Sequence, residues 1–99
     1  PLQTVVITIS EYFEDYAIKV SDKIKKTGIS SSVDLKKHNL NNKIRDHSLA
    51  KIPFLLICDK KEVDSNSATI RRLDSNKQDN MDIDQFLKTF SALNKASSN

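Results

Sequence analysis

Two short apolar runs constrain this chain more than anything else in it: Val5-Val-Ile7 within Leu2–Ile9, and Phe54-Leu-Leu-Ile-Cys58. Both are strand-length, and neither is interrupted by a polar residue, so each reads as a strand apolar on both faces. Such a strand is stable only when other structure covers both faces. The 99 residues therefore make one domain with a layered core, not a two-domain enzyme. The apolar fraction is only 37%, so the core is thin and the surface largely polar.

The segments between and after these runs supply the cover. Ser10 offers an N-cap, and Tyr12, Tyr16, Ala17, Val20 and Ile24 recur at helical spacing up to Thr27. Gly28, the only glycine, follows as a left-handed C-cap. Residues 29–35 read as a polar strand near a sheet edge. A second helix is expected over residues 40–51, with Leu40, Ile44 and Leu49 inward and its basic residues outward, ending before Pro53. Phe54–Cys58 reads as a central strand. The polar stretch 59–66 reads as the turn of a hairpin whose second strand is 68–73. Residues 74–80 read as loop. Asp82 and Gln85 then open a helix with Ile83, Phe86, Leu87, Phe90 and Leu93 on one face, and residues 95–99 form a fraying tail. Strands alternating with helices predict an α/β domain with right-handed crossovers.

Several functions are excluded by residue inventory. Cys58 is the single cysteine, so no internal disulfide forms, and with two histidines there is no zinc constellation. Cys58 closes an apolar run and reads as a buried hydrophobe. No apolar run approaches the roughly 20 residues of a membrane span. The start is not a signal peptide, and a cytoplasmic setting follows. Pro1 in place of methionine is what a segment of a longer protein shows. One glycine cannot build a phosphate loop or a nucleophile elbow. Asp74-Ser-Asn76-Lys-Gln78 spaces oxygen ligands alternately, but Asp79 and Gln85 stand where a calcium loop needs glycine and glutamate. His47 neighbours Asp46, yet adjacent helical residues do not face each other.

The charge is informative by its position. The net charge is +3, but residues 36–51 alone carry Lys36, Lys37, Lys43, Arg45 and Lys51 against Asp46. A local basic segment fits contact with a polyanion, although from charge alone a solvated helix face is the more ordinary reading.

Ordered motifs then point to a family. Lys43-Ile-Arg-Asp-His, Ile52-Pro-Phe-Leu-Leu-Ile-Cys-Asp-Lys-Lys-Glu62 and Ser67-Ala-Thr-Ile-Arg71, with Pro1-Leu-Gln, Gly28-Ile, Val33-Asp-Leu and Met81-Asp-Ile, span essentially the whole chain. Together they resemble the C-terminal anticodon-binding domain of threonyl-tRNA synthetases, class II aminoacyl-tRNA synthetases. The resemblance implies a three-layer α/β/α fold with a mixed, mostly parallel five-stranded sheet and three helices. One strand is antiparallel, and a short strand lies within residues 76–81. The implied ligand is threonine tRNA, whose anticodon has a central guanine and a third-position uracil.

The same resemblance assigns anticodon contacts to Glu62, Arg71, Arg45, Lys37 and Asn39, and phosphate contacts to Lys36, Lys43 and Lys51. Glu62 and Arg71 would flank the hairpin, close enough to act together; a plain cross-strand ion pair is the other reading. The chain departs from the family at Asn41-Asn42, at Asp59-Lys-Lys-Glu62, and at Lys37 and Asn39. No cofactor is expected in this domain. ATP, magnesium and zinc would belong to a separate catalytic domain of a homodimeric parent, and the isolated domain would be a non-catalytic monomer. A sister-synthetase domain, a synthetase-derived accessory protein, and a protein-interaction module of similar shape are the competing readings.

Overall fold

The structure is a computed structural model, and it describes residues 3–35, 39–73 and 78–97. Five strands form one sheet in the order β2-β1-β3-β4-β5. They are β1 (Thr4–Thr8), β2 (Ser31–Asp34), β3 (Phe54–Cys58), β4 (Ser67–Arg72) and β5 (Gln78–Asp82). β1 runs parallel to both β2 and β3, while β4 is antiparallel to β3 and to β5, as the family resemblance implies.

The two apolar runs occupy β1 and β3, side by side at the centre. All five residues of β1 are buried, and β3 is buried from Leu55 onward. Alternation divides their side chains between two cores. One core holds Val6, Leu56, Cys58, Ala68 and Ile70 under α1 (Glu14–Lys25) and α4 (Ile83–Ser97). The opposite core is smaller: Val5, Ile7, Leu55 and Ile52, covered by Leu40 and Ile44 of α2 (Leu40–Leu49).

Local chemistry sets the boundaries. Ser10 accepts from the Tyr12 N–H and starts a 3-10 turn over Glu11–Phe13 that leads into α1. Gly28 closes α1 at φ +89, a conformation that side chains with a Cβ rarely adopt. Asp82 Oδ1 accepts from the Gln85 N–H at 2.6 Å, the cap expected for α4.

Three expectations are revised. Residues 59–66 are not a tight hairpin turn: Lys60–Ser65 form a short helix, α3, ended by Asn66 in the left-handed region at φ 54. Eight residues let the chain bury Glu62, which a tight turn cannot do. Residues 78–80, read as loop from their own composition, belong to β5. The backbone of α4 stays helical through Ser97, where the tail was expected to fray from residue 95. Among the described residues no helix is long and apolar enough to cross a membrane.

Candidate nucleic-acid interface

The two faces of the sheet are covered unequally. α2 lies over β1 and β3; beyond it on the same side, the described cover over β4 is the short helix α3, which reaches Thr69 through Glu62. Register places Thr69 opposite Ile57 and Asn80, and Arg71 opposite Leu55 and Gln78, so these polar residues share the α2 side. Thr69 and Arg71 are half-buried, while Gln78 and Asn80 are exposed. The result is a polar strip of sheet beside a helix.

α3 closes one end of this strip with Glu62. The side chain is buried, yet only one of its carboxylate oxygens is bonded: Thr69 Oγ1 donates to Oε1 at 3.0 Å. Asn80 Nδ2 lies 3.5 Å from the same threonine oxygen. Glu62 Oε2 is buried with no hydrogen-bond partner among the described residues. An unpaired buried acceptor costs about 1–3 kcal/mol, more when charged, unless a ligand supplies the donor.

Arg71 stands two residues along β4 from Thr69, on the same face. It forms no ion pair with Glu62, so the plain salt-bridge reading fails. Its guanidinium borders a cleft of about 270 Å³ lined by Ser48, Ile52, Leu55, Arg71, Arg72 and Leu73. Ser48 belongs to the outer stripe of α2 that includes Asn41 and Arg45 by helical spacing. Arg45 is exposed one turn before Ser48.

The inner stripe of α2 corrects one assignment. Lys43 does not face solvent for phosphate contact; it is 3% exposed. Its Nζ donates to the Thr8 carbonyl at 3.0 Å and the Asp34 carbonyl at 3.2 Å, the carboxyl ends of two neighbouring strands. One turn on, His47 Nε2 lies 2.7 Å from Asp34 Oδ2, so the histidine's partner is Asp34 and not Asp46. Leu40, Lys43, Ile44 and His47 form an i, i+3, i+4, i+7 set, and that spacing is the signal that outweighs the lysine's charge.

The remaining assignments divide. Asn39 is exposed, but its Oδ1 is engaged in capping α2, accepting from the Asn42 N–H at 2.8 Å; only its amide NH₂ is left to meet a ligand. Lys51 is exposed beyond the other end of α2, at φ 60. Lys36 and Lys37 lie outside the described residues. Thr69 and Asn80, which sequence reasoning passed over, are brought to Glu62 by strand register alone.

Behind Glu62 the chemistry is inert. Burial, and then the nearby Glu62 charge, pushes the Cys58 thiol from 9.0 up to about 12. Burial, then Cys58 and Glu62, pushes the Tyr16 phenol up to about 12, and its OH donates to the Ser67 carbonyl at 2.6 Å. Cys58 is thus a protonated core thiol. Iodoacetamide at pH 8 is expected to leave it unlabelled in the folded chain and to label it fully in urea. Because both groups are neutral when protonated and their folded values are raised, the stability they confer is complete below about 9 and falls as pH climbs toward about 12. Alkaline titration of the unfolding midpoint checks that direction. Among the described residues no cluster of three or more ligating side chains could hold a metal ion.

A family model described as an anticodon binding domain matches residues 3–93. The chain belongs to the anticodon-binding domain family. This anticodon-binding domain is 73% identical over 99 residues to the threonine–tRNA ligase of Pelagibacter ubique, covering 100% of the chain and 16% of that protein. It is 44% identical over 88 residues to the threonine–tRNA ligase of Bartonella bacilliformis, covering 89% of the chain and 13% of that protein. The chain thus spans a small fraction of these curated relatives. In structure it is similar to the RNA-binding domain of threonyl-tRNA synthetase from Cryptosporidium parvum, with a TM-score of 0.89, 29% identity, and coverage of 93% of this chain and 23% of that one.

Proposed function

We propose that this anticodon-binding domain reads the anticodon of threonine tRNA for a threonine–tRNA ligase, with Glu62 and Arg71 reading the central guanine. The observation that carries this reading is the buried, unpartnered Glu62 Oε2 at the end of the polar strip that Arg71 shares. An unstacked guanine offers N–H donors on its Watson–Crick edge and acceptors at O6 and N7. A carboxylate satisfies the first pair and a guanidinium the second. Adenine would set its ring N1 acceptor against the carboxylate, leaving two acceptors opposed and unpaired.

The uracil that follows carries two carbonyl acceptors, which suit the Asn39 amide NH₂ and the Lys37 ammonium. Arg45 contacts the anticodon through its backbone phosphates, and Lys51 and Lys36 serve the neighbouring ones. In this reading the domain raises the effective concentration of the correct tRNA at a distant catalytic domain. Adenylate chemistry, with its ATP, magnesium and zinc, belongs to that domain of a cytoplasmic, homodimeric parent. The domain alone is a non-catalytic monomer.

Binding to anticodon stem-loops that differ only at the central base tests this. Arg71→Ala is expected to cost about 1–3 kcal/mol on the guanine stem-loop and to narrow its preference over adenine. Arg45→Ala is expected to weaken both stem-loops alike and to lower the slope of log K against log salt by about one contact. A parent chain indifferent to the central base would sink the reading.

A further inference from the structure

Glu62 faces the strip with one oxygen held and one free, and what holds it is not an element of the base-reading pair. A glutamate carboxylate turns about a broad, roughly two-fold terminal torsion, so a single unrestrained rotor presents its oxygens poorly. Thr69 removes that freedom. Its side chain is β-branched and stiff about χ1 on a strand paired on both sides.

We propose that Thr69 is a positioning residue for base recognition: its hydroxyl, donating to Glu62 Oε1, sets the carboxylate so that Oε2 meets the guanine edge. This rests on the function proposed above. The direction of the relay is fixed at its outer end. Asn80 Nδ2 carries only donors, so the threonine oxygen must accept from it, and the one hydroxyl proton is left for Glu62. The three side chains come from α3, β4 and β5, so their meeting depends on register: Thr69 stands opposite Asn80 and two residues from Arg71. Removing the hydroxyl leaves both Glu62 oxygens without a donor in the same buried place. The carboxylate must then turn to find a donor, which blurs discrimination at the base.

The test uses the full chain and three stem-loops carrying guanine, inosine or adenine at the central position. Inosine lacks the 2-amino group and so reports the second donor. Thr69→Val keeps shape and β-propensity while deleting the hydroxyl. It is expected to lower the guanine-over-inosine affinity ratio by about tenfold, the weight of one charge-assisted hydrogen bond. Inosine binding should change by less than about twofold, and Thr69→Ser should restore the parental ratio. Thr69→Ala, which fits the site without overpacking, is the second deletion if the valine variant fails to fold. Folded deletion variants that keep the parental ratio overturn the positioning role alone. A parent with no preference between guanine and adenine overturns the underlying reading as well, so the two failures are told apart by the unsubstituted chain.

Discussion

Replacing Lys43 by alanine is expected to remove about 2–5 kcal/mol of folding stability, a large part of what a domain of this size has. The ammonium is buried against two main-chain carbonyls, Thr8 O and Asp34 O, and each loses its donor. The Asp34 residue, itself 7% exposed, also loses the ammonium that sits on its main chain, while the His47 ring stays 2.7 Å from its Oδ2. Lys43→Met, which refills the volume but not the hydrogen bonds, should recover the smaller share. Urea unfolding midpoints for the two variants separate the polar loss from the cavity. Equal midpoints for Lys43→Ala and the parent would show that the clamp contributes nothing.

Phe86→Ala should be comparably damaging, at about 3–5 kcal/mol. Phe86 is 2% exposed and meets Phe54 and Phe90 at ring-centroid distances of 5.8 and 5.9 Å, with Phe54 and Phe90 5.0 Å apart. Arg72 lies over the Phe54 ring, so the cluster ties α4 to the end of β3. A small alanine cannot refill that space, and neighbouring rings are too rigid to collapse into it. At about 4–8 °C per kcal/mol for a domain of this size, the thermal midpoint should fall far enough to be seen by circular dichroism. By contrast, Lys23→Ala, which breaks the surface pair with Asp84 at 2.7 Å, should scarcely move it. Hydrogen exchange in Phe86→Ala should quicken in α4 before it quickens in β1 or β3.

The sequence is most legible where burial is strongest. β1 and β3 follow from unbroken apolar runs, α1 from its periodic stripe and Gly28, and the capped start of α4 from Asp82 and Gln85. Legibility ends where a polar residue is buried or a strand is not. Residues 60–65 form too short a helix to show periodicity, and their Lys, Glu, Asp and Ser read equally well as turn. β5 carries Gln-Asp-Asn-Met-Asp, whose single apolar residue gives no alternation to see; only the family resemblance anticipates it. For the site, Glu62, Arg71 and Arg45 are legible as members of a family pattern. Lys43 is misread because charge is taken as a mark of exposure, although its spacing from Leu40 and His47 says otherwise. Thr69 and Asn80 gain meaning only from cross-strand register, which no local pattern encodes.

The weak character of β5 has a use of its own. It borders the sheet, and the outer rim of a bordering strand is a row of unpaired main-chain groups that can template another chain. Here the rim residues include Asp79 and Asp82, both exposed. Two copies laid rim to rim at β5 would bring carboxylates together on a strand with almost no apolar side chain to repay the contact. The domain can therefore keep polar residues of β4 and β5 open to a ligand without inviting polymerisation along its border.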